Sequence, residues 1–130
     1  MVMNVVNTMT QERRINMTQE DKELLLKDLC ARLPYKPIVV NAQIDGGYPT
    51  KISPHSLKIG MYLDLSKIEN TKIYLRPMES MTEEEKESFH KLKVYKHNDC
   101  KDWYNSHHID DRGLIEKGLA LEAPEGMYKN

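Results

Sequence analysis

The chain has 130 residues, 39% hydrophobic and 30% charged, with 19 Lys and Arg against 20 Asp and Glu. That length fits one domain able to bury roughly two thirds of its unfolded surface, which excludes a second domain of similar size. A net charge of −1 gives no global electrostatic reason to bind nucleic acid or a membrane surface, although local patches remain open.

Residues 1–16 are polar, with scattered Met and Val and no helical or strand period, and are expected to form a flexible N-terminal extension. Residues 17–130 are expected to form the single domain. No apolar signal segment is evident near Gln11, Glu12, Arg13 and Arg14, and Cys30 and Cys100 lie far apart, so a reduced, cytoplasmic protein with free thiols is expected. The longest apolar runs, such as Leu24-Leu25-Leu26, fall far short of the roughly 20 residues that span a bilayer, so no membrane partner is expected.

Thr18 followed by Glu20, Asp21 and Glu23 reads as a helix start, since a hydroxyl can cap the first turn and acidic groups suit its positive end. Leu25, Leu26, Leu29, Cys30 and Leu33 recur at three- and four-residue spacing, and Pro34 and Pro37 stop the run. The spacing predicts a helix over 19–32, with Cys30 a buried, inert thiol on its apolar stripe.

Beyond Pro37 the period changes. Ile38, Val40, Ala42 and Ile44 alternate up to Asp45-Gly46-Gly47, a hairpin signal. Leu57, Ile59, Met61, Leu63 and Leu65 alternate again and predict a partner strand, with Ile73-Tyr74-Leu75 a third. The segment carrying Tyr48, Pro49, Ile52 and Pro54 suits an irregular edge. Thr82 with Glu85 forms a capping-box pattern for a helix to about Leu92, with Phe89 and Leu92 inward. A third helix is expected after Asn98 or Asp99, carrying Trp103, Tyr104 and His107. A short helical turn is expected between Gly113 and Gly118, and an extended tail over 119–128. The fold class is therefore α+β: an N-terminal helix, a small, mostly antiparallel sheet with the option of curling into a partial barrel, two or three short helices, and an extended tail.

Charge is shared unevenly. Residues 30–78 hold seven basic and three acidic side chains, whereas 79–130 hold eight basic and twelve acidic ones. The simplest consequence is that the two parts attract and dock; a basic sheet face kept free for a polyanion is the alternative.

Three chemistries compete for the remaining residues. His97, Cys100, His107, His108 and Asp110 are potential zinc ligands, or a His-Asp pair for a metal-dependent hydrolase, but they lack paired short-spaced knuckles. The structural reading is favoured over both: Asp110 or Asp111 caps the turn at Gly113-Leu114-Ile115, with Arg112 pairing either carboxylate. Lys58, Tyr62, Lys72 and Arg76 mix phosphate partners and a stacking ring, as a nucleic-acid-binding sheet face would. The chain contains no nucleophile elbow, phosphate loop or dinucleotide-binding glycine motif. With no catalytic residues assigned and no cofactor expected apart from the zinc option, non-catalytic binding to another protein is the least demanding reading. Tyr48, Trp103, Tyr104 and Arg112 are its candidate contacts, aided by eight adaptable methionines.

Three stretches carry a resemblance: Met17-Thr18-Gln19-Glu20-Asp21 through Leu33-Pro34-Tyr35, Tyr74-Leu75-Arg76-Pro77-Met78 through Thr82-Glu83-Glu84-Glu85, and His107-His108-Ile109-Asp110-Asp111-Arg112-Gly113 through Pro124-Glu125-Gly126-Met127-Tyr128. Covering roughly half the chain, they resemble a family of small proteins of Bacteroides-type gut bacteria and their phages or mobile elements. The resemblance implies that Met17 is the usual start, and it implies no activity, cofactor or site. Residues 36–72 fit it only loosely, and if family members differ there, a partner-specific surface is expected in that region. Asp111 stands where the family suggests an aromatic, which argues against a catalytic role for it.

Overall fold

The computed structural model describes residues 17–56, 59–95 and 100–128. The residues expected to form the N-terminal extension, 1–16, lie outside these. Helix α1 spans Gln19–Arg32, and the Thr18 Oγ accepts the Asp21 amide at 3.0 Å. Its inward face is Leu25, Asp28, Leu29 and Arg32, a three- and four-residue spacing. Cys30 is exposed, contrary to the expectation of burial, because a 100° step per residue carries it off the face centred on Leu29. A 3-10 turn at Leu33–Tyr35 ends the helix and Lys36, with φ at +56°, redirects the chain.

Strand β1, Ile38–Asn41, runs into a single-turn helix α2, Ala42–Asp45, and returns through Gly46 and Gly47 to a two-residue strand β2, Thr50–Lys51. Both glycines have positive φ, +66° and +86°, which a side chain would make costly. The hairpin signal is thus realised, but β1 pairs with the Pro49 edge segment: Val39 faces Thr50 and Ile38 faces Lys51. The expected strand over 57–65 does not form where the chain is described; Leu57 and Lys58 lie outside the described residues, and Ile59–Tyr62 is a short helix, α3. Its apolar residues satisfy a helical period as well as an alternating one, so Ile59, Tyr62 and Leu63 all reach the core. Asp64 then accepts the Ser66 amide and hydroxyl in a tight turn.

Strand β3, Thr71–Leu75, alternates cleanly, with Thr71, Ile73 and Leu75 buried. It pairs antiparallel with β1 and parallel with β4, Ala120–Glu122. Among the described residues the strands form one open, mixed sheet in the order β2-β1-β3-β4, which does not curl into a barrel. Between β3 and β4 lie helices α4, Glu83–Tyr95, and α5, Cys100–Ser106. The capping box forms as expected: the Glu85 amide donates to Thr82 Oγ at 3.1 Å, and Glu85 Oε1 accepts the Thr82 amide at 3.0 Å. Leu114–Lys117 is a hydrogen-bonded turn without a regular helix, closed by Gly118 N–H to the Ile115 carbonyl.

Leu25 and Leu29 from α1, Val39 and Ile73 from the sheet, and Tyr62 and Leu114 from the connections are all buried in one core. Past Leu75, β3 is flanked by two later segments. Arg76 N–H donates to the His108 carbonyl at 2.7 Å and its carbonyl accepts the Asp110 amide at 2.8 Å, while Ala123 N–H reaches the Leu75 carbonyl. These bonds gather residues 107–110 and the tail around Arg76.

Candidate functional site

Most of the chemistry-bearing side chains are held by partners inside the fold. Arg32 is fully buried; its Nε donates to Asp28 at 2.8 Å and its Nη2 to the Ile109 carbonyl at 2.8 Å and to Asp111 at 3.0 Å. Arg112 donates to Asp28 at 2.7 Å and approaches Asn105 and Asp111. Burial raises the Asp111 carboxyl above its usual range, an effect opposed by Arg112 and Arg32. This cluster ties α1 to the 109–112 loop. The expected pairing of Arg112 with Asp111 is present, but Asp28 is its closer partner.

The two histidines immediately precede that loop. His107 stacks on Trp103 with centroids 3.8 Å apart, and its Nδ1 lies 2.9 Å from the Trp103 carbonyl. A carbonyl can only accept, so Nδ1 carries the proton in this bond. His108 adopts a left-handed φ of +59° and stacks on Tyr128 at 3.7 Å. Burial, aided by the charges of Arg32 and Arg76, pulls the His108 pKa down to about 4, so the ring is neutral at physiological pH. Its Nδ1 is buried without a partner among the described residues.

Asp110 supplies no orienter to either ring, because its two oxygens accept the Leu114 and Ile115 amides at 2.8 and 3.0 Å. The capping role expected of it is the one it plays. For zinc, His97 lies outside the described residues, Cys100 is half-buried at the start of α5, and among the described residues no group of three or more His, Cys, Asp or Glu could hold a metal ion.

Among the described residues, the expected nucleic-acid candidates do not share one open face. Lys58 lies outside the described residues, and Tyr62 is fully buried, since its position in α3 turns the ring into the core and away from any stacked base. Lys72 is half-buried on β3. Arg76 makes a bidentate pair with Glu85, at 2.8 and 2.6 Å, which together with the Thr82 amide holds the Glu85 pKa down to about 2.

Among the expected protein contacts, Trp103 is only 8% exposed and is a core residue, packed edge-on against Phe89. Tyr104 is half-buried against the same Phe89 ring, and Arg112 belongs to the ion network. Tyr48 differs from them all at 75% exposure.

Sequence reading missed a cleft of about 910 Å3. It is lined by Arg76, Glu85, His107 and His108 together with the tail residues 122–126 and Tyr128, whose ring closes against His108. The tail is fastened by Tyr128, whose hydroxyl accepts the Ile38 amide at 2.8 Å and donates to the Tyr74 carbonyl at 2.6 Å. Burial pushes this phenol up to about 12, so it remains a donor.

No protein-family model, curated protein or solved structure matches the chain. No helix among the described residues is long and apolar enough to cross a membrane.

Proposed function

We propose that this chain is a non-catalytic binding module that engages another protein in the cytoplasm and, following the resemblance in its sequence, serves a phage or mobile element of a Bacteroides-type bacterium. Tyr48 carries the reading. It stands at the tip of the β1–β2 hairpin with three quarters of its surface exposed, whereas Trp103, Arg112 and the histidines are engaged within the fold. The Tyr48 ring lies 3.8 Å from where a side chain on Gly46 would begin, and the Thr50 hydroxyl donates to the Tyr48 carbonyl at 3.2 Å. A tyrosine loses little rotamer entropy on burial and offers both an apolar face and a hydroxyl, the properties of an interface anchor. Tyr48 also falls in the region where the resemblance is loose, as a partner-specific surface would.

The test is affinity capture from native-host lysate by the full chain and by Tyr48→Ala, with and without nuclease and at low and high salt. The expected result is a protein retained through nuclease and salt by the parent and lost by the variant, whose thermal stability is unchanged. Retention equal in the two chains overturns the role of Tyr48. A catch that disappears with nuclease places the partner among nucleic acids, against this reading.

A further inference from the structure

We infer that the cleft between Arg76 and the C-terminal tail is a binding site for an alkylammonium or guanidinium group. What selects such an occupant is the hydrogen-bond inventory of its walls. Arg76 has five N–H donors. Nη1 donates to Glu85 Oε2 at 2.8 Å and to the His107 carbonyl at 3.4 Å, Nη2 to Glu85 Oε1 at 2.6 Å and to the Ser80 carbonyl at 3.2 Å, and Nε to Ser80 Oγ at 3.3 Å. Every one is matched.

The hydroxyls are committed in the same sense. Tyr35 donates to Asp102 at 2.5 Å, Ser80 to the Pro77 carbonyl at 2.7 Å, Ser106 to the Trp103 carbonyl at 2.9 Å, and Tyr128 to the Tyr74 carbonyl. Of the lining hydroxyls, only that of Thr82 keeps its hydrogen for an occupant among the described residues.

Acceptors, in contrast, remain. Glu122 and Glu125 line the cleft, are exposed, and form no ion pair with another described residue. His107 Nδ1 lies 2.9 Å from the Trp103 carbonyl and 3.0 Å from the Ser106 hydroxyl, so Nε2 is the ring nitrogen left facing no described partner. Three carboxylates line the space against one guanidinium, and that guanidinium is paired with Glu85. Burial is the largest cause of the lowered His108 pKa, followed by the charges of Arg32, Arg76, His107 and Lys51; of these Arg32 and Arg76 are paired with carboxylates, and Lys51 does not line the cleft. The Tyr35 and Tyr128 rings also line the space, aromatic surface of the kind a cation favours. A cleft of this size, rich in acceptors and poor in free donors, is complementary to a donor-rich cation and repels a carboxylate or phosphate. This site is separate from Tyr48 and does not depend on the hairpin binding a protein.

Such a group can arrive on an arginine or lysine of a partner chain or as a free polyamine, and two arms of one experiment distinguish them. The full chain is titrated with a blocked Gly-Arg-Gly peptide, with spermidine, and with a blocked Gly-Glu-Gly peptide as the anionic control. Binding is followed by calorimetry and by the ring-proton NMR signals of His107 and His108. The expected result is saturable binding of at least one cationic probe, shifted His107 signals, and an affinity at least tenfold weaker in the Glu122→Gln/Glu125→Gln double variant, whose melting temperature matches the parent's. Peptide binding without spermidine binding assigns the cation to a partner chain, and the reverse assigns it to a free amine. Saturation by neither cationic probe, equal binding by the anionic peptide, or full affinity in the double variant would overturn the site.

Discussion

Arg32 and Asp28 form an ion pair at 2.8 Å with neither side chain exposed to solvent, one helical turn apart on α1. Desolvating two charges is costly, and the further bonds to Ile109, Asp111 and Arg112 offset part of that cost, although Arg32 Nη1 is buried without a partner among the described residues. Its structural consequence is a fixed seat for the loop that carries His107 and His108.

Breaking that pair from one side should therefore be severe. Asp28→Ala leaves the Arg32 and Arg112 guanidinium groups without their shared carboxylate and is expected to lower unfolding stability by about 3–5 kcal/mol. Replacing Arg32 and Asp28 together by Met and Leu should recover much of the loss, measured by urea unfolding of the singles and the double. A double variant as unstable as Asp28→Ala would show that the charges are indispensable.

Trp103 is expected to behave as core. Trp103→Ala empties the space under Phe89, Tyr104 and His107 and should cost about 3–5 kcal/mol in a thermal or urea melt. A stable variant would place the indole at the surface.

Two groups make stability depend on pH in different windows. Glu85 has its folded pKa near 2, below its ordinary 4.5, so its pairing stabilises the fold fully above about pH 4.5 and is lost as pH falls toward 2. Glu85→Gln should lose about 2 kcal/mol at neutral pH and flatten the acid limb of the stability curve.

His108 works at higher pH. Its folded pKa near 4 lies below the ordinary 6.5, so the unfolded chain takes up the proton first and stability declines as pH falls from about 6.5 to 4. Asparagine tolerates the left-handed φ of this position. His108→Asn is accordingly expected to remove the slope in that window, read from chemical unfolding at several pH values, while leaving the limb due to Glu85.

Tyr128→Phe removes the acceptor for the Ile38 amide and the donor to the Tyr74 carbonyl. A loss of about 1–3 kcal/mol is expected, with faster amide hydrogen exchange at Ile38 and along the tail. Unchanged exchange at Ile38 would show that the tail is held by β4 alone.

Local signals in the sequence translated well into structure. Helix α1 and the Thr82/Glu85 capping box are specified by residues within one or two turns of each other, and both form where their residues say. The run through Ile59, Met61 and Leu63 was ambiguous in principle, since two-residue alternation also contains the four-residue step from Ile59 to Leu63, and tertiary packing of Tyr62 decided for helix. Asp28 and Arg32 share the four-residue spacing of the Leu25 and Leu29 face, a signal for a buried ion pair that apolar periodicity alone overlooks. The cleft had no local signature. It exists because a strand end, two helix ends and a returning tail meet at Arg76, and no window of sequence contains that meeting.

The parallel pairing of β3 with β4 has a kinetic side. A parallel neighbour cannot be reached by a tight turn, so β4 pairs with β3 only across the long connection that holds α4, α5 and residues 107–119. Closing so long a loop before its contacts repay the entropy makes the sheet's last edge a late event in folding. The β1–β3 ladder and α1 are therefore expected to form faster than the β3–β4 edge, and the cleft, lined in part by the chain just beyond β4, is expected to mature with that slower edge.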